Sequence, residues 1–399
     1  MFVLNPADPT EVEAAVAEAA ANRTPLAITG LASKASLGRP TNAIRLDLCA
    51  LTGVTFYEPE ELALSALAAT PVATIEALLA EHHQELAFEP MSFGALYGTG
   101  SGTIGGCLMT NLSGPRRIKA GAARDHVLGI KAVSGRGEAF KAGGRVVKNV
   151  TGYDLSRGLA GSFGTLAVAT EITFKVLPRA ETLATLVLPG LESEAAAAAL
   201  CAAMGAPVDV SGAAHLPLFA AARQGFPRAA TLLRLEGFAP SVAARLDQLE
   251  AALRPFGRAE RLDAAASTIL WRAIRDAAPL AEHLDSLIWK ISVAPKAGPL
   301  VAAAIGNELP VEAMFDWSGG LVWLALDPAH GSAGADAGAG IIRRAVASHG
   351  GGHATLMRAP IEIRAIVPVF EPQPDALRGL AARLKAQFDP LGILEPGRI

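Results

Sequence analysis

The sequence has few cysteines, and they lie far apart. Its 399 residues include three, Cys49, Cys107 and Cys201, and no two of them form a C-x-x-C pair. This spacing predicts neither a disulfide framework nor a zinc or iron–sulfur site, and it is typical of a reducing compartment.

Strong charge of one sign and long apolar runs are also missing. The net charge is −3 at pH 7, so nothing indicates a nucleic-acid-binding surface. No apolar run reaches about 18 residues without a charge or a helix breaker, so no membrane-spanning helix is predicted. The first residues lack a basic segment followed by an apolar one, which predicts no secretory signal. We therefore expect a cytoplasmic protein whose contact with a membrane is made only through partners.

The composition predicts a large apolar core and more than one domain. Hydrophobic residues make up 51% and charged residues 18% of the sequence, and the length suggests two or three domains. Glycine is concentrated in residues 92–178. Glycine lets the backbone approach a ligand closely, so this stretch fits a site for a polyphosphate or a flat ring. A turn-rich β domain with many hairpins is the alternative.

Two further features upstream and within this stretch suggest an anion site. A short buried strand predicted at residues 25–29 runs into the loop GLASK, residues 30–34. The loop has the outline of a phosphate site but matches neither G-x-G-x-x-G nor the Walker pattern. A short helix is predicted from Cys107 to Asn111, after Gly105 and Gly106, and its first N–H groups could face an anion.

The composition changes after Pro178. Alanine-rich helical stretches alternate there with strands, which predicts an α+β domain with an antiparallel sheet. Within the first 178 residues, further strands are predicted at residues 145–148 and 166–176. Near the end, residues 374–387 form a predicted helix with Leu377, Leu380 and Leu384 in register.

Several phrases occur together and in a fixed order along almost the whole chain. They are GLASK, TNLSGPRR, ARDHVLGI, GGRVVKNVTGYDLSR, FKVLPR, WRAIRD, LIWKISVAP, FDWSGGLVW, GGHATL and the terminal FDPLGILEPGRI. In this combination the sequence resembles the FAD-binding subunits of bacterial glycolate oxidases, within the vanillyl-alcohol oxidase superfamily.

The resemblance implies an α+β protein with a two-lobed, PCMH-type FAD-binding domain and an α+β cap domain. The FAD-binding domain would comprise residues 1–178 and the cap or substrate domain residues 179–370. Residues 371–399 would return to pack on the FAD-binding domain. The cofactor would be non-covalent FAD, because no histidine is placed to carry a covalent flavin link.

The resemblance also assigns cofactor-binding residues. The pyrophosphate would be wrapped by Gly30, Leu31, Ala32, Ser33 and Lys34. The pyrophosphate and flavin side would be lined by Thr103, Gly105, Gly106, Ser113 and Gly114. The flavin or adenine would be approached through the backbone of Gly161, Gly164, Thr165 and Val168.

Four cations lie within nine residues beside the expected flavin wall: Arg116, Arg117, Lys119 and Arg124. Arg116 and Arg117 are the catalytic candidates, because an arginine can hold a 2-hydroxy acid carboxylate or stabilise a reduced flavin. A solvated basic edge, or a docking surface for an acidic partner, is the alternative. No metal site is predicted, since nothing matches the H-x-G-D-G-N-x-H pattern of the companion catalytic subunit.

Three functional hypotheses remain open from the sequence. The first is the FAD subunit of a multi-subunit dehydrogenase for glycolate or D-lactate, working with a catalytic flavoprotein and an iron–sulfur subunit. The second is a structural subunit with a degenerate FAD site, because Leu31 and Ala32 stand where relatives commonly have glycine and Glu395 where they have asparagine. The third is a stand-alone flavin oxidoreductase.

Overall fold

The computed structural model describes residues 3–145, 152–282, 284–327 and 334–399. Most of the strand predicted at residues 145–148 lies outside these ranges. The strands are β1 (Val3–Leu4), β2 (Leu26–Thr29), β3 (Ile44–Asp47), β4 (Val54–Glu58), β5 (Ala63–Leu67), β6 (Gln84–Glu85), β7 (Val127–Ser134), β8 (Ala139–Gly143), β9 (Ala167–Lys175), β10 (Leu177–Pro178), β11 (Thr182–Pro189), β12 (Gly212–Leu216), β13 (Ala230–Gly237), β14 (Glu260–Leu262), β15 (Leu287–Ser292), β16 (Val311–Asp316), β17 (Leu321–Leu326) and β18 (His353–Arg358).

The α-helices lie mostly between strands. They are α1 (Pro9–Ala21), α2 (Val72–Glu81), α3 (Gly94–Tyr97), α4 (Ile104–Thr110), α5 (Arg117–Ala120), α6 (Ala123–His126), α7 (Leu155–Leu159), α8 (Ser193–Gly205), α9 (Leu218–Ala222), α10 (Ala239–Leu253), α11 (Ala264–Arg275), α12 (Ala297–Gly306), α13 (Ala339–Ser348), α14 (Ile361–Ile366) and α15 (Asp375–Phe388). The sequence Asp8-Pro9-Thr10-Glu11 has the pattern of a helix start, a capping Asp followed by Pro, and α1 begins there: Asp8 accepts from the N–H groups of Thr10 and Glu11.

Strands β1 to β10 form what we call the first lobe. Three of them make a small parallel sheet in the order β1-β3-β2, and five make an antiparallel sheet in the order β4-β5-β9-β7-β8. The long strand predicted at residues 166–176 is confirmed as β9, which lies at the centre of the larger sheet.

Strands β11 to β18 form a second lobe around one antiparallel sheet of eight strands, in the order β14-β11-β13-β12-β16-β17-β15-β18. Strand β17 is buried along its whole length. Its alternate residues enter two cores: Trp323 faces the first lobe, and Leu324 faces the side covered by α12 and α13. A strand buried on both faces gives the continuous apolar run seen in its sequence.

One apolar core joins the two lobes. From the first lobe it contains Met91, Phe93 and Leu96, and from the second it contains Trp271 and Trp323. One face of the eight-stranded sheet therefore packs on the first lobe, while helices cover its other face.

The C-terminal segment runs back along the edge of the first lobe. The N–H group of Leu26 in β2 donates to the Ile393 carbonyl over 2.7 Å, and the N–H group of Glu395 donates to the Leu26 carbonyl over 2.8 Å. Asp389 anchors the turn before it by accepting from the N–H groups of Ile393 and Leu394.

Helix α15 has no buried residue. The leucines predicted to share one face are exposed rather than packed on the core: Leu377 by 52%, Leu380 by 54% and Leu384 by 45%. Among the described residues, no helix combines the length and the apolar character needed to cross a bilayer.

Candidate functional site

A cavity of about 360 Å³ lies where β2 ends. Four parts of the chain line it: β2 with the loop that follows, the first turn of α4, the turn leading into β9, and the C-terminal region. This volume is in the range of small-molecule and cofactor sites.

The loop after β2 brings a row of backbone N–H groups to this cavity. All five residues from Gly30 to Lys34 line it. None of their N–H groups donates to an acceptor within the described residues. Ala32 has a φ of 54°, and a left-handed residue in such a loop turns successive N–H groups toward one side. The loop is therefore a concave site for an anion, and we call it the N–H cradle.

Lys34 adds a positive charge to the N–H cradle. Its Nζ atom lies 3.4 Å from Ser33 Oγ and 5.0 Å from the centre of the Phe93 ring. Among the described residues, no carboxylate forms an ion pair with it. Burial lowers the pKa of the Lys34 ammonium, since desolvation disfavours the charged form. A bound anion would compensate this desolvation.

Thr103 and three glycines close the opposite wall. Thr103 caps α4 by accepting from the Gly106 N–H group over 3.1 Å. The helix therefore begins at Ile104 rather than at Cys107 as predicted, because threonine is the better N-cap residue. A Cβ atom on Gly30 would lie 3.1 Å from Thr103, and one on Gly105 would lie 2.6 Å from the Ala68 carbonyl oxygen.

The first-turn N–H groups of α4 are already occupied. Those of Ile104 and Gly105 donate to the Thr70 and Ala68 carbonyls, and that of Cys107 donates to Thr103. The glycines here allow the backbone to pack closely, whereas the five N–H groups of the N–H cradle have no acceptor among the described residues.

A buried ionic network connects the two lobes around Arg116. The Arg116 guanidinium donates to Glu85 over 2.5 Å and to Glu236 over 2.8 Å. Arg234 donates to both carboxylate oxygens of Glu89, over 2.7 and 3.1 Å. Burial alone would raise the pKa of Glu89, but Arg234 and Arg116 hold it at about 2. Arg116 is thus occupied by carboxylates of the protein itself.

Arg117 is placed differently. Its guanidinium lies 4.7 Å from the centre of the Trp317 ring, and Lys290 Nζ lies 5.0 Å from the same ring. No carboxylate within the described ranges forms an ion pair with either cation. Burial, together with the charge on Arg117, lowers the pKa of Lys290 to about 8. Two cations without acidic partners therefore meet at one indole ring.

A strained turn holds this indole ring. Trp317 and Ser318 both have left-handed backbones, with φ values of 51° and 62°, a conformation that costs about 1–3 kcal/mol per residue. The Trp317 Nε1–H group donates to the Gly114 carbonyl over 3.2 Å, across the lobe interface. Burial raises the pKa of the adjacent Asp316 to about 7. Strain of this kind occurs often at functional sites.

A search of the described residues finds no group of three or more His, Cys, Asp or Glu side chains able to hold a metal ion.

Comparison with known proteins identifies the family. Residues 1–143 match the family described as "FAD binding domain". Over 384 residues the chain is 34% identical to "Glycolate oxidase subunit GlcE" of Escherichia coli K12, covering 96% of this chain and 95% of that one. The chain belongs to the GlcE family of glycolate oxidase subunits. The resemblance seen in the sequence is thereby confirmed.

More distant members and the fold agree with this GlcE assignment. The chain is 38% identical to a D-lactate dehydrogenase of Archaeoglobus fulgidus over 99 residues, which are 25% of this chain and 22% of that one. It also superposes on p-cresol methylhydroxylase with a TM-score of 0.74 at 12% identity, over 99% of this chain and 88% of that one. The predicted PCMH-type α+β fold is confirmed, and the cofactor is FAD. The N–H cradle and Lys34 fit its pyrophosphate.

The cofactor residues predicted for this GlcE-type chain divide into two groups. Those that line the cavity are Gly30, Leu31, Ala32, Ser33, Lys34, Thr103, Gly105, Gly106 and Gly164. Those that do not line it are Ser113, Gly114, Gly161, Thr165 and Val168. The first group remains our proposal for FAD binding.

Residues of the second group have other contacts. The Ser113 hydroxyl accepts from the Ala123 N–H group over 3.1 Å, and Gly114 receives the Trp317 indole. The Gly161 N–H group donates to the Leu108 carbonyl over 3.1 Å. Thr165 closes its own turn by donating to the Ser162 carbonyl over 2.7 Å.

Val168 is fully buried in the core of the small parallel sheet, opposite Val133 of β7. Its side chain therefore stabilises the first lobe and does not face the cavity.

Sequence reasoning did not assign several residues that line the cavity. These are Arg45 from β3, Phe163 before β9, Arg364 from α14, and Glu395 and Arg398 from the C-terminal segment. Among the sequence motifs, only the terminal FDPLGILEPGRI contains any of these five residues, and it contains two, Glu395 and Arg398.

Gly105→Ala should destabilise the protein, because a Cβ atom there would lie 2.6 Å from a backbone oxygen. We expect a loss of about 1–3 kcal/mol in the free energy of unfolding, measured by urea denaturation. Gly158→Ala in α7 is the control, since no atom lies within 4 Å of the Cβ position there. Equal stability of the two variants would contradict the close approach of Gly105 to Ala68.

Proposed function

We propose that this chain is the FAD-carrying subunit of a multi-subunit dehydrogenase that oxidises a 2-hydroxy acid, glycolate or D-lactate. The observation that carries the proposal is the pair of unneutralised cations, Arg117 and Lys290, at the interface between the FAD lobe and the second lobe. The names of the relatives support the substrate class, since they include a glycolate oxidase subunit and a D-lactate dehydrogenase.

FAD would be held mainly through its pyrophosphate. The N–H groups of Gly30–Lys34 and the Lys34 ammonium would bind the phosphate oxygens, as expected for an anion in a concave row of backbone donors. Gly105, Gly106 and Gly164 would let the cofactor approach the backbone closely. When bound, FAD supplies two-electron redox chemistry.

The substrate carboxylate would bind between Arg117 and Lys290 in the assembled complex, where a partner subunit completes the site. A carboxylate held by two cations makes charge-assisted hydrogen bonds, which are stronger than neutral ones. The Trp317 ring fixes the position of both cations. We do not propose Arg116 as a catalytic residue, because three carboxylates lie within 4.0 Å of its guanidinium.

We also propose the partners and the location of the complex. A catalytic flavoprotein subunit and an iron–sulfur subunit would complete it, and the iron–sulfur subunit would take the electrons onward. The three cysteines of this chain lie far apart in sequence, which fits a cluster on another chain. The complex would be cytoplasmic and would contact the inner membrane peripherally, through its partners.

The visible spectrum of the purified chain, before and after adding glycolate or D-lactate, tests this function. We expect bound FAD that stays oxidised in the isolated chain and is reduced once the partner subunits are added. Reduction in the isolated chain would show that it is a catalytic subunit by itself. A chain that takes up no FAD would overturn the proposal in favour of a structural subunit.

Arg117→Met should raise the KM of the assembled complex for glycolate about tenfold, the effect expected from losing one charge-assisted hydrogen bond. The control is Arg124→Met, which removes a half-exposed cation of the same basic cluster. A KM unchanged by Arg117→Met would show that the substrate carboxylate binds elsewhere. Equal effects of both variants would favour a basic docking surface.

A further inference from the structure

One oxygen of the Glu395 carboxyl group has no hydrogen-bond partner in the described part of the chain. The side chain is only 4% exposed and lines the cavity beside the N–H cradle. Its Oε1 atom accepts from the Ile28 N–H group over 2.7 Å, whereas its Oε2 atom is buried and unsatisfied. The nearest cation, Arg398, has its Nε atom 3.9 Å away. A buried acceptor without a donor is unfavourable unless a ligand supplies one.

The backbone directs this carboxyl group into the cavity. Glu395 has a φ of 44°, a left-handed conformation that is strained for a residue with a side chain. Its N–H group is fixed by the bond to Leu26. Gly164, with a φ of 78°, lies against both residues: a Cβ atom there would crowd Ile28 Cδ1 at 3.0 Å and would meet Glu395 Cγ at an ordinary contact distance of 3.5 Å. The placement of Glu395 therefore depends on three separate segments of the chain.

The charges around Glu395 are mostly positive. Burial raises the pKa of its carboxyl group, while Arg398, the Ile28 N–H group and Lys385 of α15 act against this rise. Lys34, Arg45 and Arg364 also line the cavity. Glu395 is thus an acceptor in a cationic cavity, and a neutral donor such as a hydroxyl group suits Oε2 better than a phosphate does.

The position of Glu395 relative to the N–H cradle points to the part of FAD it meets. Its carboxyl group accepts a hydrogen bond from the Ile28 N–H group. Gly30, the first residue of the N–H cradle, follows Ile28 by two positions, a separation of roughly 7 Å along a strand. Sugar hydroxyl groups flank the pyrophosphate of FAD on both sides. We infer that Glu395 Oε2 accepts a hydrogen bond from one of these hydroxyl groups and thereby positions the cofactor. This inference rests on the proposed FAD site at the N–H cradle and is independent of the 2-hydroxy acid proposal.

The test is Glu395→Gln, titrated as apoprotein with FAD while the quenching of flavin fluorescence is followed. Glutamine keeps the shape of the side chain and an acceptor for the Ile28 N–H group, replaces the free acceptor Oε2 by an amide NH2 group, and removes the negative charge beside Arg398. We expect the affinity for FAD to fall about tenfold or more, with the apoprotein melting temperature unchanged. Glu171→Gln is the control, because Glu171 pairs with Lys131 away from the cavity. Titration with ADP and with FMN shows which half of FAD carries the hydroxyl group.

A second variant, Glu395→Asp, keeps the charge but draws the carboxyl group back by one methylene, and it should also bind FAD more weakly. If Glu395→Gln does not fold, the FAD titration of Glu395→Asp is the test. Wild-type FAD affinity in both variants would overturn the inference. A loss of affinity matched by an equal fall in apoprotein stability would overturn it as well, since Glu395 would then act only through the fold.

Discussion

Arg234→Met should lower the free energy of unfolding by about 3–5 kcal/mol, the range measured when one partner of a buried ion pair is removed. The Arg234 side chain is 3% exposed and holds both oxygens of Glu89 across the lobe interface. Methionine restores the apolar volume beside Trp271 but leaves the Glu89 carboxylate without its main partner. Urea denaturation followed by tryptophan fluorescence measures the change.

A surface ion pair provides the control for Arg234. Arg261 pairs with Asp247 and Glu250 in a half-exposed position, and Arg261→Met should change stability by about 1 kcal/mol or less. If the double variant Arg234→Met with Glu89→Gln recovers part of the loss, an unpaired charge is the cause. Similar losses from Arg234→Met and Arg261→Met would contradict the buried network.

The same network predicts a dependence of stability on pH. The pKa of Glu89 is lowered from 4.5 to about 2 in the folded protein. A lowered carboxyl pKa contributes stability above the unfolded value, and this contribution is lost as the pH falls through the folded value. Wild-type stability should therefore decline between about pH 5 and pH 2. Arg234→Met should show a smaller decline over that interval.

Lys34→Met should weaken FAD binding by about tenfold to a hundredfold, as expected for the loss of a charge-assisted contact to phosphate. Methionine keeps an apolar chain over the Phe93 ring and removes only the ammonium group. The apoprotein should be as stable as the wild type or more stable, because a desolvated charge has been removed. A lower affinity for FAD, without a loss of apoprotein stability, would identify Lys34 as a ligand-binding residue.

Fluorescence titration with FAD at low and high salt measures the Lys34 effect. The wild-type affinity should fall with added salt and with rising pH, because salt screens the ammonium and deprotonation removes its charge. The variant should respond less to both. Lys119→Met, at an exposed position paired with Asp209, should bind FAD as the wild type does. An equal effect of the two variants would remove Lys34 from the cofactor site.

Short-range patterns in the sequence predicted much of the fold. The Asp8 cap of α1, the alternation of β9 and the strand before GLASK all depend on residues a few positions apart, and all three are present in the structure. The register of Leu377, Leu380 and Leu384 predicts a helix equally well. That register does not show whether the face is buried, and within the described ranges no residue of α15 is buried.

The candidate site was also predictable only in part, because it too depends on how separate elements pack together. GLASK could be identified as an anion loop because its five donors are consecutive in sequence. Thr103, Gly105 and Gly106 were assigned through the resemblance, although the N–H groups of Gly105 and Gly106 are occupied by the Ala68 carbonyl and the Thr103 hydroxyl. The five predicted residues that lie outside the cavity belong to the same motifs, and sequence alone does not show which face of a motif meets the ligand.

The sequence by itself indicated the fold class and the FAD cofactor, through short motifs and a resemblance that covers almost the whole chain, and it predicted the GLASK loop as the site for the pyrophosphate. Only the tertiary structure decided which charged groups meet. Arg234 reaches Glu89 across 145 positions of sequence, and Glu395 reaches Ile28 across 367. Whether an arginine is neutralised, as Arg116 is, or left without an acidic partner, as Arg117 is, depends on carboxylates brought near it by other strands. Such contacts arise from the packing of the two lobes, which no local pattern encodes.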